Sequence, residues 1–309
     1  MRGLAATGDR SNPITVANDL AEPAPRQDQV LVAVEATSLN RGEIRRSLSA
    51  QPGFVPGWDV AGRVLQPAAS GEGPAAGTRV VGLLDAGGWA EHAAMDLARL
   101  APLPDSVPAA VAATLPVAGL TALLTLRRGG QLLGRRVAVT GATGGVGMFA
   151  LQLASLMGAH TTAVVSAPDR QQGLPARGVD AVEVGLDGDD VPFDLVLDSV
   201  GGPLLSAALR RIVPGGHIVT YGNTSAEPTS FDVSGFYLRN RATLSAFMLF
   251  GELAADPPGG RHLGPLTALV ADGRLEVHID REAPLEEGPD LVRALLDRRI
   301  AGKGVVTFS

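Results

Sequence analysis

A cluster of glycines in residues 140–147, TGATGGVG, has the residue types needed to hold a phosphate-bearing ligand. Apolar β-type residues (137–140) precede it, and an apolar stretch of helical period, 146–157, follows it. The pattern predicts a strand, a tight turn and the start of a helix. Glycine leaves room for a ligand against the main chain, and the positive end of the helix suits a pyrophosphate. A lone glycine pattern is weak evidence, so the dinucleotide site that it indicates depends on the rest of the chain.

The second strand of this unit carries more information about the nucleotide. A site that prefers NAD places an acidic residue about twenty residues beyond the glycines, at a strand end. Here the strand TTAVV ends in Ser166, and Arg170 follows shortly after it. Ser166 could donate to a 2′-phosphate and Arg170 could pair with it, which favours NADP. The alternative is a solvated loop in which the arginine has no role in binding. Asp169, an acidic residue beside Arg170, weakens the preference for NADP over NAD.

The elements that would position these residues change in character along the chain. Up to about residue 105 there are short apolar runs, such as 30–34, 60–65 and 80–84, separated by Gly and Pro. Strand patterns at 136–140, 161–165, 195–197 and 217–221 then alternate with helical stretches. From about Asp256 we predict a helix at 263–272, a strand at 275–279, a helix at 288–298 and a last strand at 304–308. The fold class is therefore α/β, with a parallel-sheet nucleotide domain inserted between two pieces of a β-rich domain.

Composition limits the classes of function. The 309 residues carry a formal net charge of -6, which does not suggest a nucleic-acid partner, and include no cysteine, which excludes disulfides and thiolate metal sites. The N-terminal MRGLAATGDR lacks a sustained apolar core, so we expect no signal peptide. Residues 107–126 are uncharged and about as long as a membrane span, but they contain two prolines and a glycine. A buried helix pair or interdomain segment is the better interpretation, and we expect a cytoplasmic protein without a membrane partner.

With these residues placed, the chain resembles the medium-chain dehydrogenase/reductase superfamily. It is most similar to the zinc-free quinone oxidoreductase branch, which includes the enoyl reductase domains of polyketide synthases. The resemblance runs from about Val30 to Val306 and rests on ordered motifs: SLNRGEI (38–44), PGWDVAGRV (56–64), LPVAGLTA (115–122), TGATGGVG (140–147), FDLVLDSVGG (193–202), PGGHIVTYGN (214–223) and AGKGVV (301–306). It implies a GroES-like catalytic domain at 1–115 and 251–309, and a Rossmann domain that binds NADP(H) at 116–250.

The metal of zinc-dependent relatives has no matching ligands in this sequence. Trp58 stands where those relatives have a histidine, Asn40 lies in the region that carries their first cysteine, and no cysteine is available elsewhere. The five histidines are scattered without metal-ligand spacing. We therefore expect no metal, and reduction of an already activated acceptor.

The resemblance also implies roles for individual residues. Gly144, Gly145, Val146 and Gly147 would cradle the pyrophosphate. The other implied cofactor contacts are Thr121, Ser166, Arg170, Ser199, Val200, Tyr221, Gly222, Asn223, Phe247 and Lys303. A homodimer, formed by edge-strand pairing near residues 241–249, is a further expectation from the family.

Catalysis is assigned to Asn40. Hydride addition to a quinone or an α,β-unsaturated carbonyl leaves negative charge on oxygen, and the Asn40 amide could donate a hydrogen bond to it. A structural asparagine that bridges loops is the alternative interpretation. Solvent could supply the proton.

Three functions remain open from the sequence. The first is an NADPH-dependent quinone or enone reductase, the second a dedicated enoyl or ketide reductase of a biosynthetic pathway. The third is an NADPH-binding protein with little turnover, used as a sensor or structural protein.

Overall fold

The computed structural model describes residues 1–188, 191–255 and 259–308, which divide into two compact units. Unit 1 comprises Met1–Leu120 and Leu253–Ser309, and unit 2 comprises Thr121–Glu252. Unit 2 is thus inserted in the sequence between the two segments of unit 1.

The first segment of unit 1 consists mainly of strands. These are β1 (Gly3–Ala6), β2 (Ile14–Ala17), β3 (Gln29–Ser38), β4 (Asp59–Gln66), β5 (Arg79–Leu83), β6 (His92–Asp96) and β7 (Leu100–Pro102). Its helical elements are α1 (Arg41–Ser47), a 3-10 turn (Leu97–Arg99), α2 (Ala109–Ala112) and a π-helical turn (Leu115–Gly119), after which α3 (Leu120–Arg128) begins. The predicted apolar runs at 30–34 and 60–65 lie in β3 and β4, and the run at 80–84 covers β5 from its second residue and extends one residue beyond it.

Unit 2 alternates strands and helices in a parallel sheet. In chain order these elements are β8 (Arg136–Thr140), α4 (Gly145–Leu156), β9 (His160–Val165), a 3-10 turn (Pro168–Gly173), β10 (Ala181–Val184), β11 (Phe193–Asp198), α5 (Gly202–Arg210), β12 (Ile212–Thr220), α6 (Val233–Tyr237) and β13 (Thr243–Ala246). Helix α7 (Leu249–Ala255) begins in unit 2 and ends in the second segment of unit 1. The strand order is β10-β9-β8-β11-β12-β13, with every pair parallel. This is the strand order of a dinucleotide-binding sheet, and it confirms the predicted α/β class with its Rossmann-type domain.

The second segment of unit 1 completes the sheet of that unit. It contains α8 (Gly260–Ala271), β14 (Ile279–Pro284), a 3-10 turn (Leu285–Glu287), α9 (Gly288–Leu296) and β15 (Lys303–Thr307). The sheet order is β14-β15-β3-β4-β5-β7, and β6 also pairs with β3. Because β15 pairs with β3 and β14, it places Lys303 beside residues from the first segment.

The predicted strand at 275–279 is wrong for all but its last residue, since β14 begins at Ile279. The N–H groups of Arg274 and Leu275 both donate to Leu269 O, so these residues close the end of α8. A pairing partner is present only from Ile279, which lies opposite Lys303.

The apolar segment Ala109–Arg128 is long and apolar enough to cross a membrane, but 72% of its most apolar 18-residue window is buried. It therefore has the burial predicted for a core segment.

Candidate functional site

The glycine turn of unit 2 brings two glycines into close contact. Gly141 has φ +61, and a Cβ there would lie 2.4 Å from Ser199 Oγ. A Cβ on Gly147 would lie 2.6 Å from Gly141 O. Only glycine fits both positions without a shift of the backbone, so the turn can lie flat against the start of α4.

The first turn of α4 presents backbone donors. Its N-cap residue is Gly144, which has no side chain to accept a hydrogen bond from the first N–H groups. The helix begins at Gly145, so the N–H groups of Gly145, Val146 and Gly147 have no carbonyl partner within the helix. This arrangement of donors and positive helix dipole fits the pyrophosphate of a dinucleotide.

Asp198 joins the ends of three strands beside this turn. Its carboxylate is fully buried and accepts hydrogen bonds from Thr140 Oγ1 at 2.8 Å, Gly201 N at 3.1 Å and Thr220 Oγ1 at 3.3 Å. Burial raises the pKa of this carboxyl, while the hydrogen bonds oppose the rise. Asp198 thus caps the end of β11, and it fixes the backbone of Val200 and Gly201.

The predicted 2′-phosphate contacts lie on an exposed edge of unit 2. Ser166 directly follows β9, and Arg170 lies in the 3-10 turn after it; both side chains are exposed. Within the described residues, the Arg170 guanidinium makes no ion pair or side-chain hydrogen bond. It is available to a phosphate, and Asp169 beside it is exposed as well.

The remaining predicted cofactor residues of unit 2 lie near the carboxyl ends of its strands or in α3. Tyr221 N donates to Asp198 O at 2.8 Å, and burial raises the pKa of the Tyr221 hydroxyl. Asn223 Oδ1 accepts from Ala226 N, which fixes the turn after Gly222. Phe247 is 6% exposed with the Arg128 guanidinium 5.3 Å from its ring centroid, and Thr121 is also 6% exposed.

Unit 1 contains a buried cluster of charged side chains, formed by Glu43, Asp59 and Lys303. Their exposed fractions are 1%, 0% and 4%. Lys303 Nζ donates to Leu39 O at 3.1 Å and lies 3.5 Å from Asp59 Oδ2. Asp59 also accepts from Ser38 Oγ at 2.5 Å and, through Oδ1, from Val117 N at 2.8 Å. Because buried charges are costly unless paired, the cluster is stable only as a set.

Asn40, the half-buried N-cap residue of α1, is hydrogen-bonded to all three members of this cluster. Its Oδ1 accepts from Lys303 Nζ at 2.7 Å. Its Nδ2 donates to Asp59 Oδ2 at 2.8 Å and to Glu43 Oε1 at 3.1 Å. Both amide hydrogens are therefore engaged, so a donor role for Asn40 requires that one of these bonds be exchanged.

Burial and like charge both act on Glu43. Desolvation, together with the nearby Asp59 carboxylate, raises the pKa of Glu43 to about 8. Lys303 and the N–H groups of Asn40 and Trp58 oppose this rise. Burial also lowers the pKa of Lys303, against the attraction of the two acids. The raised pKa favours the neutral form of the Glu43 carboxyl, and Lys303 forms its ion pair with Asp59.

Trp58 is held beside the cluster in a fixed orientation. Its backbone N–H donates to Glu43 Oε2 at 2.7 Å, and its indole Nε1 donates to Asp85 O at 3.1 Å. A Cβ on Gly42 would lie 2.6 Å from the indole ring, so α1 can approach Trp58 only with glycine at that position.

The sequence predicts Asn40 and Lys303 as separate contacts, but it does not reveal Glu43 or the linking role of Asp59. One signal was available. Asn40 and Glu43 have the spacing of a capping box, in which the third helical residue accepts from the N-cap backbone N–H, here at 2.6 Å. The buried partners on β4 and β15 are far away in sequence and gave no such signal.

The cluster does not have the composition of a metal site. Among residues 1–188, 191–255 and 259–308, no group of three or more His, Cys, Asp or Glu could hold a metal ion. Trp58 has no ligating atom, and Lys303 neutralises Asp59. The residues present do not fit a zinc ion.

Comparison with known families matches both parts of the chain. Residues 26–105 match the family described as alcohol dehydrogenase GroES-like domain, and residues 176–306 match the family described as zinc-binding dehydrogenase. The second description names zinc, for which the described part of the chain holds no group of three or more His, Cys, Asp or Glu.

Individual relatives give a more specific match. A chloroplast envelope quinone oxidoreductase homolog of Arabidopsis thaliana is 32% identical, over 92% of this chain and 91% of its own length. The polyketide synthase GfsB of Streptomyces halstedii is 33% identical over 93% of this chain, which spans only 5% of that protein. The mycobacterial protein Rv1454c, solved in complex with NADPH, has the same fold, with a TM-score of 0.87, 21% identity and full coverage of both chains.

Proposed function

Because the chain belongs to the quinone oxidoreductase group of the medium-chain dehydrogenase/reductase superfamily, we propose that it is an NADPH-dependent, zinc-independent reductase of quinones or α,β-unsaturated carbonyls. The observation that carries the proposal is the uncapped first turn of α4 against the glycine turn, which offers backbone donors to a pyrophosphate. A reductase of this kind needs no Lewis acid when its acceptor is already activated.

The cofactor contacts are proposed for unit 2. Gly144, Gly145, Val146 and Gly147 hold the pyrophosphate, while Ser166 and Arg170 hold the 2′-phosphate. NADPH supplies the hydride when it is bound. The other proposed contacts are those named above: Thr121, Ser199, Val200, Tyr221, Gly222, Asn223 and Phe247. The NADPH complex of Rv1454c supports the choice of cofactor by analogy of fold.

Asn40 in unit 1 is assigned the role of binding the oxygen of the acceptor substrate. The negative charge that develops on the acceptor oxygen needs a donor, and the Asn40 amide is the partly exposed member of an otherwise buried cluster. Lys303 was predicted as a cofactor contact. Its ammonium is engaged with Leu39 O and Asn40 Oδ1, and its backbone N–H with His278 O, so we assign Lys303 to the cluster.

A dedicated enoyl reductase of a biosynthetic pathway is the second candidate. The match to a polyketide synthase over 93% of this chain favours it, since this chain corresponds to one segment of that much longer protein. A protein that binds NADPH with little turnover is the third candidate.

The test is the initial rate of NADPH oxidation with a simple quinone, beside NADH and with a chelator control. Chelator-insensitive turnover that prefers NADPH is the expected result. Turnover of an enoyl thioester without quinone reduction would favour the second candidate, and tight NADPH binding without any turnover would favour the third.

We also propose a cytoplasmic homodimer without membrane or nucleic-acid partners. Strand β13 is an edge of the unit 2 sheet, and near it Leu244 is 40% and Met248 69% exposed. Light scattering tests this proposal, because a mass near 31.6 kDa would contradict it.

A further inference from the structure

We propose that Lys303 and Glu43 are positioning residues that control the donor of Asn40. In this scheme Lys303 fixes the direction of the amide, and Glu43 holds the amide N–H that is released to the acceptor oxygen. The inference rests on the proposed function, in which Asn40 donates to that oxygen.

The direction of the amide follows from the chemistry of its three partners. An ammonium only donates, so the Asn40 atom 2.7 Å from Lys303 Nζ must be the oxygen. An ionised Asp59 only accepts, so the atom 2.8 Å from its Oδ2 must be the nitrogen. The reversed amide would place NH₂ against the ammonium and oxygen against a carboxylate. Lys303 is itself held by Leu39 O, so it cannot follow a rotated amide without losing that bond.

Glu43 is the partner that can release an N–H. Its bond to Asn40 Nδ2 is 3.1 Å long, against 2.8 Å for the bond from the same nitrogen to Asp59. The same Oε1 of Glu43 keeps the Asn40 backbone N–H at 2.6 Å, so it stays satisfied when the amide hydrogen leaves. An acceptor oxygen can reach Asn40, which is partly exposed, whereas Glu43, Asp59 and Lys303 are buried.

The charge of Glu43 then sets how readily this exchange occurs. A carboxylate holds an N–H more strongly than a neutral carboxyl does. The charged groups that act on Glu43 are Asp59 on β4, which favours the neutral form, and Lys303 on β15, which favours the ionised form. Since the pKa of Glu43 is raised to about 8, the N–H is available below that pH and retained by Glu43 above it.

Selective isotope labelling tests the positioning without cofactor or turnover. The chain has five asparagines (Asn12, Asn18, Asn40, Asn223 and Asn240), so ¹⁵N-asparagine labelling gives five pairs of side-chain N–H signals, one pair for each NH₂ group. The Asn40 pair is the one absent from Asn40→Asp. We expect it to shift with pH with a midpoint near the Glu43 pKa of about 8, and to lose this shift in Glu43→Gln. An Asn40 signal that is insensitive to pH, or that titrates equally in Glu43→Gln, overturns the proposal.

The pH profile of kcat supplies the kinetic test. In the wild type, kcat is expected to fall as pH rises through about 8, by up to about tenfold per pH unit. Glu43→Gln removes this alkaline decrease. The matched control is Glu35→Gln, which removes a carboxylate of unit 1 that is 34% exposed and paired with Arg63, and it leaves the decrease in place.

Lys303→Met tests the direction of the amide, with an expected loss of about tenfold in kcat and an unchanged Kd for NADPH. If this variant does not fold, the two Glu43→Gln readouts decide the question alone. A wild type that turns over no acceptor but shows the Asn40 titration refutes the proposed function and leaves the positioning intact. Turnover with the same alkaline decrease in Glu43→Gln refutes the positioning and leaves the function intact.

Discussion

Replacement of Arg170 by alanine is expected to weaken NADPH binding and leave NADH binding unchanged. Arg170 is exposed, lies beyond the end of β9 and makes no ion pair or side-chain hydrogen bond within the described residues, so the substitution breaks no such bond there. A hydrogen bond to a charged group contributes roughly 1.5–3 kcal/mol, and exposure to solvent favours the lower end of that range. About 1.4 kcal/mol corresponds to a factor of ten, so the Kd of NADPH should rise about tenfold.

The assay is calorimetric titration of each nucleotide at fixed ionic strength, because salt screens exposed charges. Arg10→Ala is the matched control, since it removes the same charge from an exposed loop of unit 1 and should change neither affinity. Equal weakening of NADPH and NADH binding would refute the assignment, because Arg170 would then contact a group that both nucleotides carry and not the 2′-phosphate. An unchanged Kd for NADPH would refute it as well.

Three further outcomes are expected. Gly147→Val should abolish binding of both nucleotides, because its Cβ would lie 2.6 Å from Gly141 O; retained binding in a calorimetric titration would contradict the cradle. Gly251 lies in α7, and a Cβ there would meet no atom closer than 3.4 Å, so Gly251→Ala should raise the free energy of unfolding by up to about 1 kcal/mol. A lower free energy of unfolding in a denaturant titration would contradict this. Glu43 binds a proton in the folded state between its usual pKa of 4.5 and the raised value of about 8, so its contribution to stability is fully present below pH 4.5 and is lost as pH rises toward 8. Relative to Glu43→Gln, the wild type should therefore lose up to about 1.4 kcal/mol per pH unit across that window in denaturant titrations, and a constant difference would contradict the raised pKa.

The parallel sheet of unit 2 could be predicted because its signals are local. β8 and β11 are almost continuous apolar runs, as expected for strands covered on both faces, and the glycine turn follows β8 directly. The strand predicted at 275–279 failed because pairing depends on β15, which the local pattern around Leu275 does not reveal.

The charged cluster of unit 1 shows the same limit for the candidate site. Asn40 and Lys303 were each assigned a contact, but their bond joins residues 263 positions apart in sequence. Nothing in a single sequence indicates that Asp59 forms an ion pair with this lysine. The pair depends on how β15 is aligned against β3, which only the folded structure shows.

Lys303 is the only lysine in the chain, and it is 4% exposed. The folded protein therefore offers no accessible lysine side chain to acylating reagents. Cross-linking between lysine side chains would give no information about its surface. The same feature turns this amine into a reporter. Its rate of acylation measures how often the sheet of unit 1 opens around β15, at a single known position and without an engineered probe.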